Sequence, residues 1–185
     1  MKLSKNIKED LNRINFLYKN QPILTECIQD HKGFSILNKK FRTFKKGKNY
    51  KLKLFLALPF IIHNILKIVP EEKCDNVDVQ RFAIRERDDH QLTELENALF
   101  LNKIKQFKFF MEKLIEEGKK PKQVMDLYNS YMAHIIDTRL LKLLRLSQTE
   151  LTELTENRLT TSEKMLYKEI FKIIKSWREF FLSKG

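Results

Sequence analysis

The apolar positions of this chain change their period once, near residue 77. Beyond that point they recur at helical spacing. Leu92, Leu95 and Leu99 are followed by Ile104, Phe107, Met111 and Leu114, each three to five positions after the last, as one face of a helix requires. Gly118 and Pro121 read as a helix stop and a restart. Val124, Leu127 with Tyr128, Tyr131, Ile135, Thr138 and Leu141 then mark the face of another helix. Thr160-Thr161-Ser162-Glu163 fits a capping box, and Leu166, Ile170, Ile173, Trp177 and Phe180 continue from it as an apolar stripe. Residues 147–159 are expected to be a loop or a frayed helix end.

Before residue 77 the pattern is that of short strands. Pro22–Ile28 reads as a first strand, and Gly33-Phe34 opens a second. Phe41, Thr43 and Lys45 alternate loosely, and Lys46–Asn49 is a turn in which Gly47 can take positive φ. Tyr50, Leu52 and Leu54 face one way, with Lys51 and Lys53 on the other side. Residues 55–66 (FLALPFIIHNIL) read as a short apolar helix with Pro59 in its first turn, and Lys67–Pro70 as a closing strand. A unit of about 50 residues is too small to be comfortable alone. The expected fold is α+β and mainly α. An N-terminal extension (1–21) precedes a small β-rich domain (22–70), a linker (71–78) and a C-terminal helical bundle (79–185).

Some helices are apolar on more than one side. Neighbouring helical residues point about 100° apart, so Phe107, Phe109 and Phe110 cannot share one narrow stripe. Ile173 with Ile174, and Phe180 with Phe181, widen theirs in the same way. Such faces are either central in a bundle or covered by a partner. Phe107, Phe110, Met111, Tyr131, Trp177 and Phe180 are the candidate subunit-interface residues, since buried aromatics usually dominate interface energy.

Charge adds a second theme. The net charge is +12, of which residues 1–80 carry +8 and the remainder +4. Residues 31–70 contain ten basic side chains and no acidic one, whereas residues 71–78 read EEKCDNVD. Eight cations fall within residues 39–53, among them Lys39, Lys40, Arg42, Lys45, Lys46 and Lys48, with Phe41, Phe44 and Tyr50 interleaved. That combination suits phosphate neutralisation with base stacking. It equally suits an acidic protein partner or a solvated face.

Other chemistries find little support. The four glycines (33, 47, 118 and 185) form no phosphate-cradling loop. Cys27 and Cys74 stand apart and read as two reduced, buried thiols. Asp88-Asp89-His90, with His134 and Asp137, could be imagined as a metal or acid–base cluster, but a solvated acidic helix face explains it equally well. No metal or cofactor is expected, nor an enzyme. The longest apolar run, Phe55–Ile62, has eight residues against the roughly 20 that span a bilayer. The first 20 residues hold no run fit for a signal peptide. An intracellular, cytoplasmic protein with no membrane contact is the expectation.

The order of these features resembles a GINS subunit. Its small β domain is matched by Gly33-Phe34, the Lys46-Gly47-Lys48 turn, the strand Tyr50–Leu54, the apolar Phe55-Leu56-Ala57 and Lys67–Pro70. Phe55 stands where that family often has Trp. RLLKLLRLS at 139–147 and residues 159–181 are similar to the GINS helical domain. A β domain ahead of the bundle is the arrangement of the archaeal type related to Psf-two and Psf-three. The resemblance implies a non-catalytic scaffold in DNA replication, two copies each of two subunit types forming a tetramer. Its implied partners are the MCM helicase, a RecJ-like or Cdc-forty-five-like protein, primase or polymerase, and possible contact with DNA.

Overall fold

A computed structural model describes residues 7–33, 35–36, 39–40 and 43–183. Among them helix predominates, with one small three-stranded antiparallel sheet. The chain divides into two compact units, one formed by residues 15–73 and the other by residues 7–14 with 74–183. Helix α1 (Ile7–Lys19) contributes residues to both.

In the smaller unit β1 (Pro22–Cys27) is the central strand, with β4 (Asn49–Lys53) on one side and β5 (Leu66–Ile68) on the other. Both pairings are antiparallel: Ile23 faces Leu52, and Cys27 faces Leu66. Alternation along β1 buries Ile23, Thr25 and Cys27, as the two-residue period of a strand dictates. The buried Thr25 hydroxyl donates to the Tyr50 carbonyl at 2.9 Å, so its burial leaves no orphan donor. Cys27, Phe44 and Leu66 form the core with Tyr50, Leu52, Phe60, Ile61 and Ile65 around it. Two further strands, β2 (Ser35–Ile36) and β3 (Lys39–Lys40), pair with each other.

Helix α2 (Leu54–Ile62) follows β4 directly and buries Leu54 and Ala57. Pro59 is not in its first turn but inside the helix, where a proline removes one backbone donor. The helix stops three residues later. Asn64, at φ 55°, turns the chain back while the Ile65 amide donates to the Phe60 carbonyl at 2.8 Å. β5 then ends before Pro70, which opens a 3-10 turn (Pro70–Glu72).

The larger unit holds α3 (Asn76–Asp88), α4 (Phe100–Glu116), α5 (Gln123–Leu146), the short α6 (Glu153–Asn157) and α7 (Thr161–Leu182). The 24-residue α5 packs against α3, α4 and α7. Asp75 caps α3 through a capping box closed by Asp78, and Thr160 caps α7 through one closed by Glu163. Residues 89–99 are irregular, so Leu92, Leu95 and Leu99 do not belong to the helix of Ile104. Leu92 instead anchors a cluster with Leu143, Leu159 and Tyr167. On α4, Phe107 and Phe110 are buried while Phe109 is exposed. This is the split that 100° per residue requires.

Candidate functional site

The centre of the helical unit is charged. Arg139 on α5 is 1% exposed, and Glu86 on α3 is fully buried. Glu86 shares its buried face with Val79, Phe82 and Ala83 on α3, and Arg139 shares its own with Tyr128, Ile135, Leu143 and a second cation, Lys142, on α5. The Arg139 Nε donates to Glu163 Oε1 at 2.6 Å and its Nη2 to Glu163 Oε2 at 2.9 Å. Its Nη1 donates to Glu86 Oε2 at 2.8 Å, and Nη2 also reaches the Arg158 carbonyl at 2.8 Å. One turn along α5, Lys142 donates to the other Glu86 oxygen, to the Glu86 carbonyl and to the Gln91 carbonyl.

Two cations and two carboxylates therefore close a neutral buried quartet. All four carboxylate oxygens accept at least one hydrogen bond, with the Thr93 amide adding to Glu86 and Thr160 to Glu163. Burial pulls the Arg139 guanidinium down in pKa. The hydrogen bond and charge of Glu163, with the charge of Glu86, outweigh this and hold it above its ordinary value. Such a set adds little net stability, because desolvation offsets most of the Coulomb gain.

Sequence periodicity missed this cluster. Two positions of the buried α5 face carry Arg139 and Lys142, so the apolar pattern drifts off the core. Leu127 and Leu141, read as part of that face, are 48% and 60% exposed. The signal lay in Glu163, which serves both as the closing residue of the α7 capping box and as the carboxylate for Arg139.

The candidate interface residues separate into two groups. Phe107, Phe110 and Met111 are buried within the chain's own helical unit. They belong to the α4 face that includes Ile104, whose carbonyl accepts from the buried Tyr128 hydroxyl on α5 at 2.8 Å. Those three side chains lie in the core, because the α4 face that carries them is turned inward, where α4 packs on α5, while Phe109 is left outside. Tyr131 is half-buried.

Trp177 and Phe180 are 64% and 76% exposed. The Leu166–Phe180 stripe follows the core only at its start: Leu166 packs with Tyr167 against the Leu92 cluster, whereas Ile173 and the positions beyond it on the stripe are exposed. Tyr167 donates its hydroxyl to the Thr149 carbonyl at 2.6 Å and stacks on Phe171. From Trp177 onward the helix has no buried residue. Phe181 contacts both Trp177 and Phe180 there, beside an exposed Leu182.

In the smaller unit Lys45, Lys46 and Lys48 are exposed on a tight turn, with the Lys48 amide donating to the Lys45 carbonyl and Gly47 at φ 77°. The nearby aromatics do not stand out for stacking. Phe44 is 3% exposed and packs edge-on against Tyr50 and Phe60, while the Tyr50 hydroxyl accepts from the Lys45 amide at 2.8 Å. They build the small core because a sheet of three short strands has few other large side chains. Phe34, Phe41 and Arg42 lie outside the described residues, as do the side chains of Lys39 and Lys40.

Asp88, Asp89, His90, His134 and Asp137 are all exposed. Among the described residues no three His, Cys, Asp or Glu side chains come together as a metal site. Cys74 is buried, and burial pushes its thiol up to about 12, with Lys103 opposing and Asp78, Glu96 and Asp75 adding to the rise. No described helix is long and apolar enough to cross a membrane. Comparison with models of known protein families and with curated proteins gives no match.

Proposed function

We propose that this chain is a non-catalytic scaffold subunit of the GINS type, acting in DNA replication inside the cell. In this reading residues 22–70 form the small β domain and residues 79–185 the helical domain. The observation that carries it is the end of α7, where Trp177, Phe180, Phe181 and Leu182 are each more than 60% exposed on consecutive turns. Monomeric proteins rarely leave so continuous an apolar patch in water, whereas subunits of permanent complexes do until assembled. The buried quartet supports the same reading, since it holds the bundle in one register without offering a free acid or base.

The partners would be a second, related subunit, two copies of each making a tetramer. That assembly would link the MCM helicase to a RecJ-like or Cdc-forty-five-like protein and contact primase or polymerase. The test is the native mass on co-expression with such a second subunit. A discrete heterotetramer is expected. A monodisperse monomer whose mass and cooperative melt are unchanged by that subunit would refute the reading.

The second reading, a nucleic-acid-binding module, is favoured by one observation: Lys45, Lys46, Lys48, Lys51 and Lys53 are all exposed. It would work by phosphate contact rather than by stacking, since Phe44 is buried.

A further inference from the structure

A cavity of about 220 Å³ opens beside the buried quartet, lined by His90, Gln91, Leu92, Lys142, Arg145, Leu146, Thr155 and Arg158. Its lining holds two guanidiniums, one ammonium and one imidazole, and no carboxylate. The three permanent cations differ in how far they are already used. Lys142 gives its donors to Glu86 and to the Gln91 carbonyl, so its charge belongs to the quartet. Arg158 uses only Nη1, which donates to Gln91 Oε1 at 2.7 Å and the Leu92 carbonyl at 3.2 Å, both neutral acceptors. Its Nε and Nη2 have no partner among the described residues. Arg145 is exposed on the last turn of α5, with no ion pair or side-chain hydrogen bond among the described residues.

We infer that this cavity is an anion site that takes a single phosphate group, held between Arg145 and Arg158. Two planar guanidiniums at one concavity, Arg145 unengaged and Arg158 with Nε and Nη2 unused, match the geometry of a phosphate, whose oxygens accept paired N–H donors. The Thr155 hydroxyl, paired with that of Thr152 at 2.9 Å, also lies in the wall. The volume limits the ligand, because pockets for drug-sized molecules run to roughly 300–1,000 Å³. The site suits free phosphate or the terminal phosphate of a monoester, with the remainder of that ester outside. It is rigid for a loop site, since Gln91 is pinned twice: its carbonyl by Lys142 and its side chain by Arg158. The anion would thus dock onto a wall fixed by the same buried charges that hold α3 to α5. This inference is independent of the scaffold reading and stands if that reading fails.

The test is calorimetric titration of the full chain with inorganic phosphate in chloride buffer, against the variants R145Q, R158Q and the double variant. A saturable single site is expected, absent from a matched chloride titration and weakened about tenfold or more in the double variant. The Arg158 contact to Arg139 is made by the backbone carbonyl, so R158Q leaves the quartet in place. Should the double variant fail to fold, R145Q alone decides, since Arg145 is exposed. The inference fails if no saturable heat appears, or if a folded variant binds phosphate as the parent does. It also fails if a nucleoside monophosphate binds and inorganic phosphate does not, because the cavity would then be reading something other than the phosphate.

Discussion

Arg139 and Glu163, 24 positions apart, form a two-pronged ion pair with N–O distances of 2.6 and 2.9 Å, their side chains 1% and 8% exposed. Removing one member leaves the other charge buried and unpaired, a loss of about 3–5 kcal/mol. Arg139→Met should therefore destabilise the helical unit by about that much. Arg139→Lys should recover little, since an ammonium cannot bridge both glutamates as a fork does. Urea melts followed by far-ultraviolet dichroism would measure this. A loss below about 1 kcal/mol for Arg139→Met would show that the helices do not depend on the pair.

Trp177 is the one tryptophan of the chain, so its emission reports directly on the end of α7. Dilute protein should emit at the long wavelengths of a water-exposed indole. The maximum should move to shorter wavelength as a partner or a second copy covers the helix. Trp177→Ser with Phe180→Ser should prevent assembly with the second subunit in sedimentation while changing stability by no more than about 0.5 kcal/mol, as for other exposed positions. A melting temperature that collapsed in this variant would place those side chains in a core instead.

Cys74 gives stability a specific alkaline dependence. In the folded chain its thiol ionises only near 12, because burial disfavours the thiolate, whereas in the unfolded chain it ionises near its ordinary 9. Above the lower value the unfolded chain releases a proton that the folded chain retains, so stability falls as pH rises. Below pH 9 the contribution is fully present. By about pH 10.5 roughly 2 kcal/mol should be gone. The same urea melts on Cys74→Ala, compared from pH 8 upward, should show a shallower decline. Parallel curves would mean that other groups carry the alkaline loss.

Lys45, Lys46 and Lys48 occupy a solvated turn, so their replacement by Glu should cost little stability. If the turn contacts nucleic acid, the triple variant should lose binding to single-stranded oligonucleotides. The parent should weaken steeply with salt, by a slope near −0.7 per phosphate contacted. Binding that survives in the variant would move the contact elsewhere.

The change of period near residue 77 was legible because the Asn49–Lys53 strand half-buries alternate residues while α4 buries a face at helical spacing. The α7 capping box was legible for a similarly local reason: its hydroxyl and carboxylate are three residues apart. What periodicity could not disclose was pairing at a distance. Glu86, Arg139 and Glu163 look like surface residues until α3, α5 and α7 bring them together. The same blindness assigned Phe107, Phe110 and Met111 to an interface. A wide apolar helix shows its width in sequence, but not which side another helix will cover. Residues 89–99 misled differently, since their leucines fall by chance at helical spacing while the Asn97 side-chain oxygen accepts the Leu99 amide, a local turn bond just ahead of α4.

The position of β1 at the middle of its sheet has a consequence for how the chain must be made. The strand leaves the ribosome before either of its neighbours exists, and Cys27 waits for Leu66 before its second edge is closed. During that interval β1 offers unpaired backbone to any other extended chain. Strand pairing over such a separation is slow compared with helix formation. A fragment ending before Leu66 would keep one raw edge permanently and should aggregate where the longer chain does not.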